Sequence, residues 1–396
     1  MSKKKILIIN QHFSTGGIKR SLENLLPVLM ERYDVRVMAL CGSMKEFNEK
    51  YPNMMIASPF ILSSVMTSLD ELRGMNLFIL RFVIKVLSFI LGKIFDSEKF
   101  ILYLARLCRR LDGYDCVIVY SHDNWFANKS FFGGANEIAL KRVQAQKKIS
   151  WIHGEPHTIG LTKERALRIY ALFDDVITVS QACKNEFESL TEGKITCKVI
   201  HNLYNVDEIL ESAESCKNIE RKESIFHIVT VARLSKIAKR VDRINEIAKR
   251  LKDSGYKFFW TVVGGGSEYD DCIRISQEYG LDDCVHYVGN QDNPYSYMKY
   301  SDVFVLVSDT EAMPMVINEA MIVGTPVITT NFPAAFEAIS NGVNGFIVER
   351  DVNAIYAKIA FCIENRSMLV ACREYIKKHP INNEKSIEQV IELIED

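Results

Sequence analysis

The sequence predicts an α/β chain built on two Rossmann-like parallel sheets, and three observations predict it. Aliphatic and β-branched runs recur along the 396 residues without polar alternation, as strands buried on both faces require. Amphipathic stretches of crossover length separate them. A polar, charged interval at Asn202–Ser224 then divides the series in two, and a chain of this length calls for two cores, at about 100–200 residues per domain.

In chain order the strand expectations are Lys5–Ile9, Val35–Leu40, Cys116–Tyr120, Lys148–Ile152, Asp175–Val179 and Lys198–Ile200, followed by Phe226–Val231, Phe258–Val263, Val285–Val288, Val303–Val307 and Val327–Thr329. Helical periodicity is clearest at Arg20–Arg32, Arg240–Asp253 and Ala312–Val323. The interval at Asn202–Ser224 reads as a linker or a surface helix. Residues 1–202 form the expected first domain and residues 203–380 the second.

Composition narrows the function. Lys plus Arg number 49 against 50 Asp plus Glu, a formal charge of −1, so a general nucleic-acid binder is not expected. With 48% hydrophobic residues the chain is no disordered segment. The ten cysteines contain no Cys-x-x-Cys and no histidine pair at ligand spacing, so they read as small core residues of a reducing compartment. The apolar run Ile6–Ile9 after Met-Ser-Lys-Lys-Lys is too short for a signal peptide, and a cytoplasmic location is expected.

One stretch departs from the scheme. Asn76–Phe95 approaches a membrane span in length, but Arg81, Lys85, Ser88 and Gly92 recur at helical spacing and give it one polar face. From Arg73 to Arg110 there are eight basic residues against two acidic. Two readings stand. The segment is a basic amphipathic insertion on an anionic membrane surface, or a core-facing helix with Arg81 and Lys85 reaching outward.

The chemistry-bearing motifs lie at the carboxyl ends of expected strands. After Val303–Val307 comes Glu311-Ala312-Met313-Pro314-Met315, with Glu319 eight positions beyond Glu311. Pro314 suits an early helix position, and loop amides at a helix start suit an anion, with carboxylates beside it for sugar hydroxyls. After Phe226–Val231 come Arg233 and Lys239, a fork and a point charge for a diphosphate. Val262-Val263-Gly264-Gly265-Gly266 is a strand entering a glycine turn, where backbone must approach something closely. After the first strand, Ser14-Thr15-Gly16-Gly17 opens a helix whose amides suit a phosphate. Taken singly, each also fits an ordinary loop with solvated charges. G-x-G-x-x-G, the P-loop pattern and Asp-x-Asp are all absent from these turns.

Together these residues resemble the retaining GT-B-fold glycosyltransferases of glycosyltransferase family 4 (glycosyl transferases group 1). The resemblance is carried by Val-Ala-Arg-Leu-Ser-x-x-x-Lys-Arg-Val-Asp-Arg-Ile, Val-Val-Gly-Gly-Gly, the Glu-x7-Glu block, Gly-Thr-Pro-Val-Ile and Asn-Gly-x-Asn-Gly-Phe-Ile-Val, with Ser-Thr-Gly-Gly-Ile-Lys-Arg-Ser-Leu and Val-Ile-His-Asn-Leu in the first half. It implies GT-B architecture, two Rossmann-like domains facing across a cleft, with residues 381–396 as a C-terminal helix crossing back to the first. It implies a metal-independent transferase without a cofactor, moving a hexosyl or N-acetylhexosaminyl group from a nucleotide-sugar, UDP-sugar preferred, to a glycan or lipid-linked acceptor in cell-surface polysaccharide synthesis.

The resemblance also assigns roles. Arg233 and Lys239 neutralise the donor diphosphate, Glu311 holds the transferred sugar, and Glu319 holds the ribose. Gly16, Gly17, Gly265 and the loop Ala312-Met313-Pro314-Met315 line the donor. His153, in Trp-Ile-His-Gly, stands near the anomeric centre. Ala312-Met313 replaces the family's usual glycine and aromatic residue, which touches donor choice. A non-hydrolysing sugar-nucleotide epimerase of the same fold and a non-catalytic partner subunit are the rival readings.

Overall fold

The computed structural model describes residues 3–13, 16–42, 44–125, 131–215 and 224–396. The expected Ser14-Thr15 phosphate turn, the end of the 202–224 interval and Cys216 lie outside them. The chain divides into residues 1–203 with 384–396, and residues 204–383.

Unit 1 is a seven-stranded parallel sheet. Its strands are β1 (Lys5–His12), β2 (Asp34–Cys41), β3 (Met55–Ile56), β4 (Leu111–Val119), β5 (Val143–Ile152), β6 (Asp175–Thr178) and β7 (Lys198–Val199), in the order β3-β2-β1-β4-β5-β6-β7. Ile6–Ile9 are fully buried, because helices cover both faces of β1, and this is what a continuous apolar run encodes. The chain order reverses between β1 and β4, leaving a crevice at their carboxyl ends. Helix α1 (Gly17–Arg32) begins three residues earlier than its periodicity suggests, since Gly16 and Gly17 carry no apolar signal. The C-terminal helix Glu384–Glu395 belongs to this unit. It buries Val390, Leu393 and Ile394, and Glu395 accepts from Tyr33 Oη at 2.8 Å and pairs with Lys4 at 2.8 Å.

Unit 2 is a six-stranded parallel sheet of β8 (Phe226–Val231), β9 (Phe258–Val263), β10 (Val285–Gly289), β11 (Val303–Leu306), β12 (Val327–Thr330) and β13 (Gly345–Val348). The order β10-β9-β8-β11-β12-β13 puts its reversal between β8 and β11. Trp260 is fully buried and donates through Nε1 to Thr230 Oγ1 at 3.0 Å, while Thr230 donates to the Val305 carbonyl at 2.7 Å. One large ring thereby ties three strands without leaving a buried polar atom unpaired. The Asn202–Ser224 interval contributes a helix, Val206–Ser215, with Ile209 and Ala213 buried.

Three expectations are corrected. The helix expected over Ala312–Val323 runs only Met315–Ile322, and Pro314 precedes it as the N-cap with extended ψ, because the chain must first turn out of β11. The short strands β3 and β13 carry too few residues, or too glycine-rich a context, to show as runs.

The third correction concerns Asn76–Phe95. It contains a helix, Phe78–Ile94, whose polar face turns inward: Arg81 donates to Ser63 Oγ at 2.8 Å and Ser64 Oγ at 3.1 Å, and Lys85 donates to the Val65 and Thr67 carbonyls at 2.7 and 2.8 Å. Neither cation reaches outward, so the core-facing reading with Arg81 and Lys85 turned to solvent fails. Among the described residues no helix is long and apolar enough to cross a membrane. The nine described cysteines are all buried and free.

Candidate active site

In unit 2 the strand reversal brings the loops after β8 and β11 side by side at the carboxyl edge of the sheet. Lys239, from the first loop, forms an ion pair with Glu311 Oε1 from the second, and Ser308 Oγ donates to the same oxygen at 2.7 Å. The two side chains retain 20% and 11% exposure, so the pair works in a partly desolvated pocket. The backbone stitches the loops as well, Asp309 N–H donating to the Ala238 carbonyl at 2.8 Å.

Beneath them lies a second ionic cluster that the sequence reading missed. Asp309 accepts from Arg240 Nη1 at 2.9 Å and Arg243 Nη2 at 2.7 Å, and Arg243 Nη1 donates to the Val307 carbonyl at 2.8 Å. Burial by itself pushes the Asp309 carboxyl upward; the hydrogen bonds and charges of the two arginines outweigh it and hold it below the usual carboxylate range. Arg240 sits at φ +47, a left-handed conformation uncommon for a residue other than glycine, and its fork on Asp242 and Asp309 holds it there. Lys239, the next residue up the chain, is thereby aimed.

Arg233 is exposed and has no hydrogen bond or ion pair with the described residues. Its loop is fixed from below: Leu234 N–H donates to the Gly265 carbonyl at 2.8 Å. The glycine run serves that packing. A Cβ on Gly264 would stand 2.0 Å from the Ala232 carbonyl oxygen, and one on Gly266 2.3 Å from that of Leu234. The close approach read from the sequence is therefore between two loops of the protein itself. Gly265 faces Asn290, whose side-chain nitrogen a Cβ would meet at 2.8 Å. Glu319 is buried in the helix that follows the Ala312-Met313-Pro314-Met315 loop, and its neighbour Asn318 donates to Tyr204 Oη at 2.9 Å.

In unit 1 a separate group gathers at the carboxyl ends of β1, β4 and β5. The His153 ring lies 4.6 Å from that of Tyr120, and its backbone N–H donates to His122 Nδ1 at 3.2 Å. Burial, with His12 nearby, pushes His122 down to about 4; burial and His122 hold His153 well below the usual histidine range, so both imidazoles are neutral at pH 7. The Nε2 of His153 and both side-chain polar atoms of Gln11 are buried without a hydrogen-bond partner among the described residues. Tyr120 Oη and Ser21 Oγ lie 2.7 Å apart, and Ser21 donates to Asn202 at 2.7 Å. Gly16 caps α1 at φ +155, with open space beside it and beside Gly17. His122 and Gln11 were missed as site residues because neither falls in a patterned motif; only their position just past strand ends signals them. Among the described residues no group of three or more His, Cys, Asp or Glu is placed to hold a metal ion.

The profile of the family described as Glycosyl transferases group 1 matches residues 211–379. N-acetyl-alpha-D-glucosaminyl L-malate synthase of Bacillus anthracis is 24% identical over 51% of this chain and 54% of its own length. The amylovoran biosynthesis glycosyltransferase AmsK of Erwinia amylovora is 28% identical over 56% of each. The chain thus spans little more than half the length of these curated relatives. Among solved structures, HepE of Anabaena in complex with UDP and glucose superposes with a TM-score of 0.68 at 18% identity, covering 99% of both chains. That likeness fixes the fold as GT-B, with its two Rossmann-like parallel sheets. Residues 211–379, the greater part of unit 2, are thus similar to the glycosyl transferases group 1 family.

Proposed function

We propose that the chain is a retaining glycosyltransferase of family 4 type, moving a hexosyl or N-acetylhexosaminyl group from a UDP-sugar to a glycan or lipid-linked acceptor in cell-surface polysaccharide synthesis, at the cytoplasmic side. The observation that supports this reading is the Lys239–Glu311 ion pair at the strand reversal of unit 2, with Arg233 exposed on the same loop as Lys239. Cleaving the bond from the anomeric carbon to the diphosphate builds negative charge on the leaving group. Fixed cations supply what that charge needs, a fork from Arg233 and a point charge from Lys239, so the reaction runs without a metal or other cofactor.

In this reading Glu311 exchanges its lysine for sugar hydroxyls as the diphosphate arrives, and Glu319 accepts from the ribose. The amides along Ala312-Met313-Pro314-Met315 and the start of the following helix face the donor, and Gly265 holds the Arg233 loop in place. Ala312 has a methyl group beside the donor, which narrows the space for its sugar. Gly16 and Gly17 offer backbone amides for the donor's phosphate, and neutral His153 offers a hydrogen bond near the anomeric centre instead of a charge. The partner UDP belongs to HepE as solved; the same nucleotide is proposed for this chain because the supporting fold spans its full length.

A thermal-shift series with UDP, GDP and ADP and their sugars tests the donor, since a ligand bound only by the folded state raises Tm by mass action. The reading expects UDP and a UDP-sugar to raise Tm, and the product glycoside to keep the donor's anomeric configuration by NMR. Inversion at C2 of the donor sugar without any acceptor would instead identify an epimerase.

A further inference from the structure

The helix Phe78–Ile94, labelled α2 here, is inverted for a protein in water. Its only polar stripe, Arg81, Lys85, Ser88 and Gly92, spaced four, three and four residues apart, is the side that docks on the body of unit 1. Arg81 also lies over the Phe60 ring at 4.2 Å. Burial lowers the pKa of both cations, as expected for charges turned away from solvent. Apart from half-buried Phe78 and Ile84, the described apolar side chains of the helix face out. Twelve large apolar side chains between Leu77 and Phe95 are exposed, Ile79 at 76% and Ile94 at 71%. Soluble surfaces rarely carry an apolar patch so large and continuous.

The surroundings select its partner. No acidic residue occurs between Glu71 and Asp96. Further along the chain Lys99 and Tyr103 of the next helix, Ser97–Arg106, are exposed, as are Leu107, Arg109 and Arg110. Aliphatic bulk followed in the chain by exposed cations and a tyrosine complements hydrocarbon beneath anionic headgroups. The exposed residues wrap most of the circumference of α2, a shape that fluid acyl chains envelop and a rigid protein partner covers on one side only. At 17 residues α2 is about 26 Å long, short of a span, and spanning would tear Arg81 and Lys85 from their partners.

We propose that the apolar face of α2 lies in the plane of a lipid bilayer carrying anionic headgroups, sunk to the acyl boundary, with Lys99, Arg109 and Arg110 at the headgroup level. The inference rests on the membrane-side acceptor proposed above for its purpose, but its test reads partition without any donor, so the two can fail separately.

The test is flotation of the full chain with vesicles of phosphatidylcholine alone and of phosphatidylcholine mixed with phosphatidylglycerol. The wild type is expected to float with the mixed vesicles and less with the neutral ones. Ile79→Asp with Leu87→Asp should lower partition about tenfold or more with little change in Tm, since both side chains are mostly solvent-facing. Ile79→Trp, which keeps the surface apolar, should shift its emission to the blue only when mixed vesicles are added. Arg109→Glu with Arg110→Glu should remove the preference for anionic lipid. Wild-type protein remaining in the bottom fraction with both vesicle types would overturn the proposal, as would full flotation of the Ile79→Asp, Leu87→Asp variant. A concentration-dependent dimer abolished by that pair, without vesicle binding, would assign the face to a second copy of the chain instead.

Discussion

Lys239 and Glu311, 72 residues apart in sequence, form a partly buried ion pair across the strand reversal of unit 2. The pair stores a cation where a diphosphate is expected and a carboxylate where sugar hydroxyls are expected, each neutralising the other until a donor separates them. Arg233 stands exposed and ready beside the same strand end.

The two partners should therefore respond differently to mutation. Lys239→Ala is expected to lower kcat/KM by on the order of 10²–10³, the usual loss for one preorganised charge at a developing anion. Glu311→Gln releases the full charge of Lys239, so UDP alone should bind a few-fold tighter while kcat falls about 100-fold. Titration calorimetry with UDP, beside steady-state kinetics, separates binding from turnover. Both variants should melt within a few degrees of wild type, because a partly exposed pair contributes only about 1 kcal/mol.

Asp309 should matter for stability more than its distance from the donor implies. Asp309→Asn leaves the guanidinium of Arg243, 7% exposed, with the Val307 carbonyl but no counter-charge, a loss of about 2 kcal/mol. The carboxyl is held below its ordinary value, so it stabilises the fold above the unfolded pKa near 4, and this stabilisation fades as pH falls through the folded pKa. Urea unfolding of both proteins at pH 7 and pH 3 should show the gap between them closing at the acid end.

The buried histidine pair should make unit 1 acid-sensitive. His122 titrates at about 4 when folded and near 6.5 when unfolded, so between those values the unfolded chain takes up a proton that the folded chain refuses. Stability should fall as pH drops through that window, by about 3 kcal/mol at most, and level off below it. Asp123, whose buried carboxyl is pushed up to about 6, opposes the trend, so the informative quantity is the difference between His122→Gln and wild type. Denaturant midpoints across pH 4–7 should give a shallower slope for the variant.

The C-terminal helix should be an integral part of unit 1. Leu393, 2% exposed, packs at its inner face, and Leu393→Ala should cost about 2–4 kcal/mol. Melting of the full chain should show this as an earlier transition, with UDP affinity in unit 2 unchanged.

Much of this was legible in the sequence, and the reasons are specific. Phe226–Val231 and Phe258–Val263 were read with the observed limits, because strands buried on both faces leave unbroken apolar runs bounded by polar turns. Lys239 and Glu311 were each read in a loop after a strand, and the structure pairs them across the strand reversal of unit 2, while Arg233 stays exposed. Asp309, Arg240 and Arg243 were not legible, since their meaning depends on two loops meeting through a strand order that no local pattern records. Gly264 and Gly266 were read as a place where backbone approaches something closely, and that something is the Arg233 loop. The polar stripe of Phe78–Ile94 was found from periodicity alone; which way it faced was decided by Ser63 and Ser64, on a helix some 17 residues upstream.

The central claim is that unit 2 binds a nucleoside diphosphate through Arg233 and Lys239. Titration calorimetry of UDP into wild type, Arg233→Ala and Lys239→Ala tests it most directly. The account predicts saturable binding to the wild type, weakened about tenfold or more in each single variant and beyond detection in the double variant. Equal affinity in all four proteins, or no binding of any nucleoside diphosphate to the wild type, would contradict it.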